Sequence, residues 1–428
     1  MYVQVTGILG ESSGAGNAVE TDATWVVSQL VGALTSLVDE AGVAQEPELL
    51  DMTQTQHYRH LQLGVLLGCD SKLTVPALSM ALRAALGNAG LQVSVSPVSP
   101  AVVTASQVAA RSHDYVLTVL SAGLSPQLLQ SVSGLLSAQD LHVTQSRRLT
   151  IMPERLALHE SDTPSPSVPA SCVFEFHIQG SDQGLTQLQR ELVPAAQSMG
   201  VDLVLQRDDA QRRLKRLAVF DMDSTLIQAE VIDALARRAG VGDQVSAITE
   251  RAMQGEIDFR ESFKSRMALL EGLSEDHLAD IAQELPIMPG AVRLFKTLKA
   301  YGIKTAIISG GFTYFAQYLQ THLGVDYVFA NTLSIEAGKV TGDVVEPIVD
   351  AARKAEIVKS LAQELDIDLA QVVAVGDGAN DLLMLKAVGA GIAFRAKPLV
   401  RQSSKLALTT AGLDGVLFLM GLDERDHH

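Results

Sequence analysis

Asp221 and Asp223 stand two residues apart in the run Asp221-Met222-Asp223-Ser224-Thr225, directly after the apolar stretch Leu217–Phe220. Four contiguous apolar residues read as a buried strand, so both carboxylates fall where that strand ends. In an open α/β sheet this edge is where ligands bind. A carboxylate placed there can hold Mg²⁺ or attack phosphorus and form an aspartyl-phosphate. Taken alone, the run serves equally well as an acidic turn with Ser224 capping a helix. Ser309-Gly310-Gly311 ends a second apolar strand, and its hydroxyl and backbone N–H groups can donate to a phosphoryl oxygen. A third strand ends in Gly376-Asp377-Gly378-Ala379-Asn380-Asp381, a glycine-rich turn with two carboxylates and an amide. Lys354 opens a helix between the second and third strand ends, after a polar hairpin segment.

These features, in this order, resemble the motifs of the haloacid dehalogenase (HAD) phosphatases. The resemblance implies that Asp221 is the nucleophile. Asp223 then protonates the leaving oxygen and later takes a proton from the hydrolytic water. It also implies that Asp221, Asp377 and the backbone carbonyl of Asp223 hold Mg²⁺, while Ser309, Gly310, Gly311, Lys354 and Asn380 bind the phosphate. Asp381 orients Lys354 or a water on the metal.

Within that family the chain is similar to the phosphoserine phosphatases. Glu230 follows Gln228-Ala229, and the stretch from Met253 to Arg266 resembles their cap signature. By that resemblance Glu230 holds the substrate ammonium, Arg266 its α-carboxylate, Phe259 closes over it and Met253 lies beside it. A planar guanidinium suits a carboxylate, and a carboxylate suits –NH₃⁺. On spacing alone, the same residues fit a charged helix facing solvent. The implied reaction is Mg²⁺-dependent hydrolysis of O-phospho-L-serine to L-serine and phosphate, the last step of serine biosynthesis. Three alternatives stand beside it: transfer of phosphate to an alcohol such as homoserine, hydrolysis of another small phosphate ester, and a non-catalytic amino-acid sensor.

The elements that must position these groups follow a second pattern. After Arg216, strands alternate with helices, which implies a Rossmann-like parallel sheet. A long helical insert, 229–294, is expected to cap the site. Before Arg216, two segments each read βαββαβ, the ferredoxin-like α+β order, expected at 1–100 and 112–207. Two such units ahead of an enzyme resemble tandem ACT domains, the amino-acid-sensing modules. This implies a homodimer formed through them, with an amino-acid effector. The charged stretch 207–216 reads as a linker to a catalytic domain spanning 213–428, and the Pro/Ser-rich segment 159–170 as an exposed loop.

Bulk properties set limits. A length of 428 residues allows several domains, each with its own core. The net charge of −16 argues against nucleic acid or an anionic membrane surface as partner. It also means that a phosphate site must make its own local positive field. Cys69 and Cys172, the two cysteines, both lie in apolar runs, as expected of buried thiols in a reducing cytoplasm. A signal-peptide pattern and a run long enough to span a membrane are both missing from the sequence given, so the expectation is a soluble cytoplasmic enzyme.

Overall fold

The computed structural model describes residues 2–9, 28, 30, 32–36, 47–57, 60–69, 73–86, 91–99, 101, 115–123, 125–150, 172–254 and 256–426. The expected loop 159–170 lies outside them, as does most of 24–40, the stretch whose sequence reads as the first helix of the 1–100 segment. The chain divides into two compact units, Met1–Ser112 and His113–His428.

In the first unit, strands β1 (Tyr2–Leu9), β2 (Glu48–His57), β3 (His60–Gly68) and β4 (Leu91–Val98) form an antiparallel sheet in the order β2-β3-β1-β4. Val65 and Leu67, alternate residues of β3, point to one face. They pack there with Leu78 and Leu82 of the helix Val75–Leu86.

The second unit begins with the same topology. Its strands are β5 (Tyr115–Ser121), β6 (His142–Arg148), β7 (Cys172–Gln179) and β8 (Asp202–Arg207), in the order β6-β7-β5-β8. Leu117, Val119, Ile178, Leu203 and Leu205 face the helices Pro126–Ser137 and Asp182–Met199. Both helices start at serine N-caps, Ser125 and Ser181, whose side chains accept from backbone N–H groups of the first turn.

The other face of this sheet is buried as well. Leu120, Val173 and Val204 share one apolar core with Leu413, Val416, Leu417 and Met420 near the chain's C-terminal end. Two buried acids fasten the contact. Asp202 accepts from the backbone N–H groups of Thr409 (2.7 Å), Thr410 and Ala411 (2.9 Å). Glu175 pairs with Arg147 at 2.9 Å and with Arg212, which also donates to the carbonyls of Phe418 and Leu419. The charged stretch 207–216 is therefore not an exposed tether. It folds into the short helix Ala210–Arg213, and Arg212 is only 3% exposed because fixed carboxylates and carbonyls replace its water.

The catalytic sheet follows, in the order β11-β10-β9-β14-β15-β16. Its strands are β9 (Leu217–Phe220), β10 (Lys304–Phe312), β11 (Tyr327–Asn331), β14 (Val372–Gly376), β15 (Ala390–Phe394) and β16 (Leu406–Leu408), each pair of neighbours running parallel. β12 (Leu333–Glu336) and β13 (Lys339–Val344) form a separate hairpin. The inserted cap comprises the helices Val231–Ala239, Gly242–Met253, Phe259–Ala268 and Asp276–Glu284. The helix Ala291–Ala300 belongs to the core instead: Phe295 meets Phe220 of β9 with ring centroids 4.9 Å apart. Residues 291–294, expected within the insert, are thus part of the helical layer on the sheet. The two chain crossings into the cap lie side by side, Gln228 N donating to Pro286 O and Met288 N to Leu226 O, both at 2.8 Å.

Candidate active site

Parallel neighbours β10, β9 and β14 end at one edge, and this alone brings Ser309, Asp221 and Asp377 together. Asp221 emerges from β9 with its N–H held by Val375 O of β14 at 2.9 Å. Its Oδ1 takes two contacts, from Met222 N at 2.8 Å and from Lys354 Nζ at 2.9 Å. Oδ2 receives no donor among the described residues, which leaves it as the uncommitted oxygen.

Lys354 sits one turn into the helix Ala351–Glu364, which Asp350 caps by accepting from Arg353 N. It is fully buried and also contacts Asp381 Oδ1 at 2.7 Å. Burial alone would lower its pKa, but the two carboxylates outweigh this and hold the ammonium above its usual range. Asp381 spends its second oxygen on Gly378 N at 2.9 Å, and so fixes both Lys354 and the turn that carries Asp377. A Cβ on Gly376 would lie 2.5 Å from Asp381 Cγ, so only glycine fits at that point.

Asp223 turns toward the cap. Its Oδ1 accepts from Val231 N, the first N–H of the helix Val231–Ala239, at 3.0 Å. Burial, then the charges of Glu230 and Asp221, push its carboxyl well above the ordinary carboxylate range. Ser224 follows with φ 55°, the left-handed turn that re-aims the chain, and donates to Glu230 Oε1 at 2.9 Å. Ser309, almost wholly buried, accepts from Gly311 N at 2.9 Å. A side chain on Gly311 would come within 2.7 Å of Asp223 Oδ2.

A cavity of about 680 Å³ lies above these groups. Asp221, Asp223, Asp377, Ser309, Gly310 and Gly311 form its floor, with Asn380 beside them; Glu230, Phe259 and Arg266 line it from the cap. Arg266 is half-buried, donates to Ser262 O at 3.3 Å and pairs with no carboxylate among the described residues. Phe259 stacks on Phe263, which meets Phe312 of β10, so an aromatic row joins cap to core. The Met253 side chain lies outside the described residues.

Four contributors were missed from sequence. Thr225, fully buried, donates to Asp377 Oδ1 at 3.2 Å. Buried Asn331 bridges Gly310 O and Val349 N, each at 2.8 Å, and so fixes the Ser309 turn. Lys397 and Thr249 line the cavity. The only sequence signal among them was Thr225, which lies inside the Asp221–Thr225 run.

Asp221, Asp377 and Asp381 each bring a carboxylate oxygen within 4.8 Å of the others, a spacing that fits a divalent cation. The strain of packing these acids shows at Asp377, pushed up to about 7 by burial and then by Asp221, Asp381 and Glu230. With Thr225 as the single donor to its side chain among the described residues, Asp377 has the most to gain from a cation.

Comparison with known proteins agrees with this geometry. The family of haloacid dehalogenase-like hydrolases matches residues 215–389. The phosphoserine phosphatase SerB2 of Mycobacterium tuberculosis is 36% identical over 91% of this chain and 90% of its own length. That of Archaeoglobus fulgidus is 44% identical over 58% of this chain and 72% of its own. Among solved structures, a probable phosphoserine phosphatase from Vibrio cholerae in unliganded form superposes with a TM-score of 0.56. It is 31% identical, over 74% of this chain and 88% of that one. With fold, catalytic sheet edge and near full-length similarity in agreement, this chain belongs to the phosphoserine phosphatase family of HAD-like hydrolases.

Proposed function

We propose that the protein hydrolyses O-phospho-L-serine to L-serine and phosphate through an aspartyl-phosphate on Asp221. The observation that carries this reading is one cavity with a nucleophilic carboxylate on its floor and Glu230 and Arg266 on its cap side. Asp221 Oδ2 attacks phosphorus in line, the bond to the serine oxygen breaks, and Asp223 gives its proton to that oxygen. The raised affinity of buried Asp223 for a proton keeps it ready for this step. Asp223 next takes a proton from water, which attacks the aspartyl-phosphate, releases phosphate and restores Asp221. Lys354, Ser309 and the N–H groups of Gly310 and Gly311 offset the charge on the phosphoryl oxygens. Asn380 lies on the same floor. Phe259 covers the substrate, with Met253 as its expected neighbour. Mg²⁺ is the cation that suits these hard oxygen donors, held by Asp221, Asp377 and the Asp223 carbonyl. When bound, it withdraws charge from the phosphate. Asp381, with both oxygens engaged, orients Lys354.

Arg266→Ala is expected to lower kcat/KM for phosphoserine by about 100-fold, the scale of a lost charge-assisted pair. Turnover of phosphoethanolamine, which has no carboxylate, should change little. Equal losses on both substrates would remove Arg266 from carboxylate recognition.

The acid cluster also links metal to pH. Asp377 titrates near 7 in the fold against an ordinary 3.8, so the folded state binds more protons between these values. Without metal, stability should therefore fall as pH rises from about 4 to about 7, by a few kcal/mol at most from this group. Thermal melts with and without MgCl₂ test it: the Mg²⁺-induced rise in Tm should be larger at pH 8 than at pH 5. A rise independent of pH would remove Asp377 from the metal site.

Water is the acceptor in this reading. Phosphohomoserine formed on adding homoserine would favour phosphotransfer instead. The tandem ferredoxin-like units fit a cytoplasmic homodimer with an amino-acid effector. Since the second sheet is covered on both faces, that unit would pair through its edge strand β6 or its helices. Among the described residues no helix is long and apolar enough to cross a membrane.

A further inference from the structure

A second cavity, about 560 Å³, lies away from the catalytic cleft. It sits where β8, the edge of the second ferredoxin-like sheet, comes alongside the catalytic sheet at β15 and β16. Arg207, Lys215, Lys386 and Lys405 line it, a concentration of positive charge in a chain of net −16. Arg212 also reaches the wall, but Glu175 and Asp208 already satisfy its charge. Asp209, the single carboxylate of the lining, is engaged in capping: it accepts from Arg212 N at 3.0 Å.

Lys215 is the telling residue. It is 8% exposed, and its Nζ donates to Ala370 O at 2.8 Å. Among the described residues it has no carboxylate partner. Burying an ammonium against a neutral carbonyl alone is costly, and a buried cation normally sits beside an anion. Burial pulls Lys215 below its ordinary range, and the nearby charge of Asp209 offsets this only in part. Two further buried polar atoms in the same wall, Gln206 Oε1 and Ser404 Oγ, have no hydrogen-bond partner among the described residues. Ammonium, guanidinium and hydroxyl donors thus line one space in which Asp209 is the single carboxylate among the described residues.

We propose that this cavity binds a small oxyanion, a phosphate- or carboxylate-bearing metabolite, between the second ferredoxin-like unit and the catalytic core. Lys215 supplies the buried charge, Lys386 and Lys405 the exposed rim, and Ser404 the neutral donor. The inference stands apart from the phosphoserine reading, because none of these residues touches the catalytic cleft.

Titration calorimetry on the full chain tests it, with inorganic phosphate and citrate as separate probes. A Ser309→Ala background weakens phosphate binding at the catalytic site. In that background at least one probe should bind, and Lys386→Glu combined with Lys405→Glu should weaken it by at least about tenfold. Lys359→Glu, exposed and outside the cavity lining, should not. Preference for phosphate or for citrate identifies the head group. Binding of neither probe, or equal weakening by Lys359→Glu, overturns the proposal. As a second reading, the anion-induced rise in Tm should disappear in Lys215→Met, a change that keeps the buried stem. A rise that survives undiminished also overturns it.

Discussion

Asp221→Asn should abolish phosphatase turnover, with kcat falling on the order of 10⁴-fold or more, as removal of a covalent nucleophile does. An amide nitrogen or a neutral amide oxygen in place of Oδ2 cannot form the acyl-phosphate. Asparagine has almost the same volume, so the buried site at the end of β9 keeps its packing. The informative readout is acid-trapped phosphoenzyme: substrate labelled in its phosphoryl group should leave label on the wild type and none on the variant. A variant that turns over within about tenfold of wild type would discard the covalent route. Unlabelled wild type that still turns over would point to direct attack by water.

Lys354→Met carries the largest expected stability effect. The Nζ lies 2.9 Å from Asp221 and 2.7 Å from Asp381, and all three side chains are buried. Methionine fills the same space but leaves two carboxylates facing each other without a counter-charge. Breaking a buried pair in this way costs about 3–5 kcal/mol. Protonation of one carboxylate is the escape open to the variant, so its loss of stability should shrink as pH falls toward 5. Urea unfolding at pH 8 and at pH 5 checks both the size and the direction. A variant as stable as wild type at pH 8 would mean that the buried lysine is not what holds these acids together. Activity should vanish at either pH, since Lys354 both steadies Asp221 and offsets the phosphate.

The catalytic loops were legible because each follows a short apolar run: Leu217–Phe220, Ala306–Ile308 and Val372–Val375. Once β10, β9 and β14 are neighbours, their last residues must meet. The same reasoning could not reach Asn331, a lone amide at the end of β11 whose partners, Gly310 and Val349, are set by the fold rather than by local spacing. Arg212 and Glu175 were hidden for a related reason. One lies in a run of charges that resembles a solvated linker, and the other occupies a strand position where a polar residue usually faces water. Each is buried only because the other is there. The cap boundary was blurred because Ala291–Ala300 has the same helical periodicity as the cap helices before it. Its contacts in the fold, Phe295 on Phe220 among them, assign it to the core. β16 spans three residues, too few for alternation to register.

The two ferredoxin-like repeats match in strand order, yet they are not equivalent parts. The second gives one face to its own helices and the other to the enzyme, with Asp202 and Glu175 as rivets and Leu120, Val173 and Val204 as the glued surface. An excision at 207–216, which the sequence invites, would leave Val416 and Met420 bare to water and remove the acid that Arg212 needs. A cut that spares this contact has to fall before residue 115, near the boundary between the two compact units. The catalytic half and its adopted repeat form one compact unit.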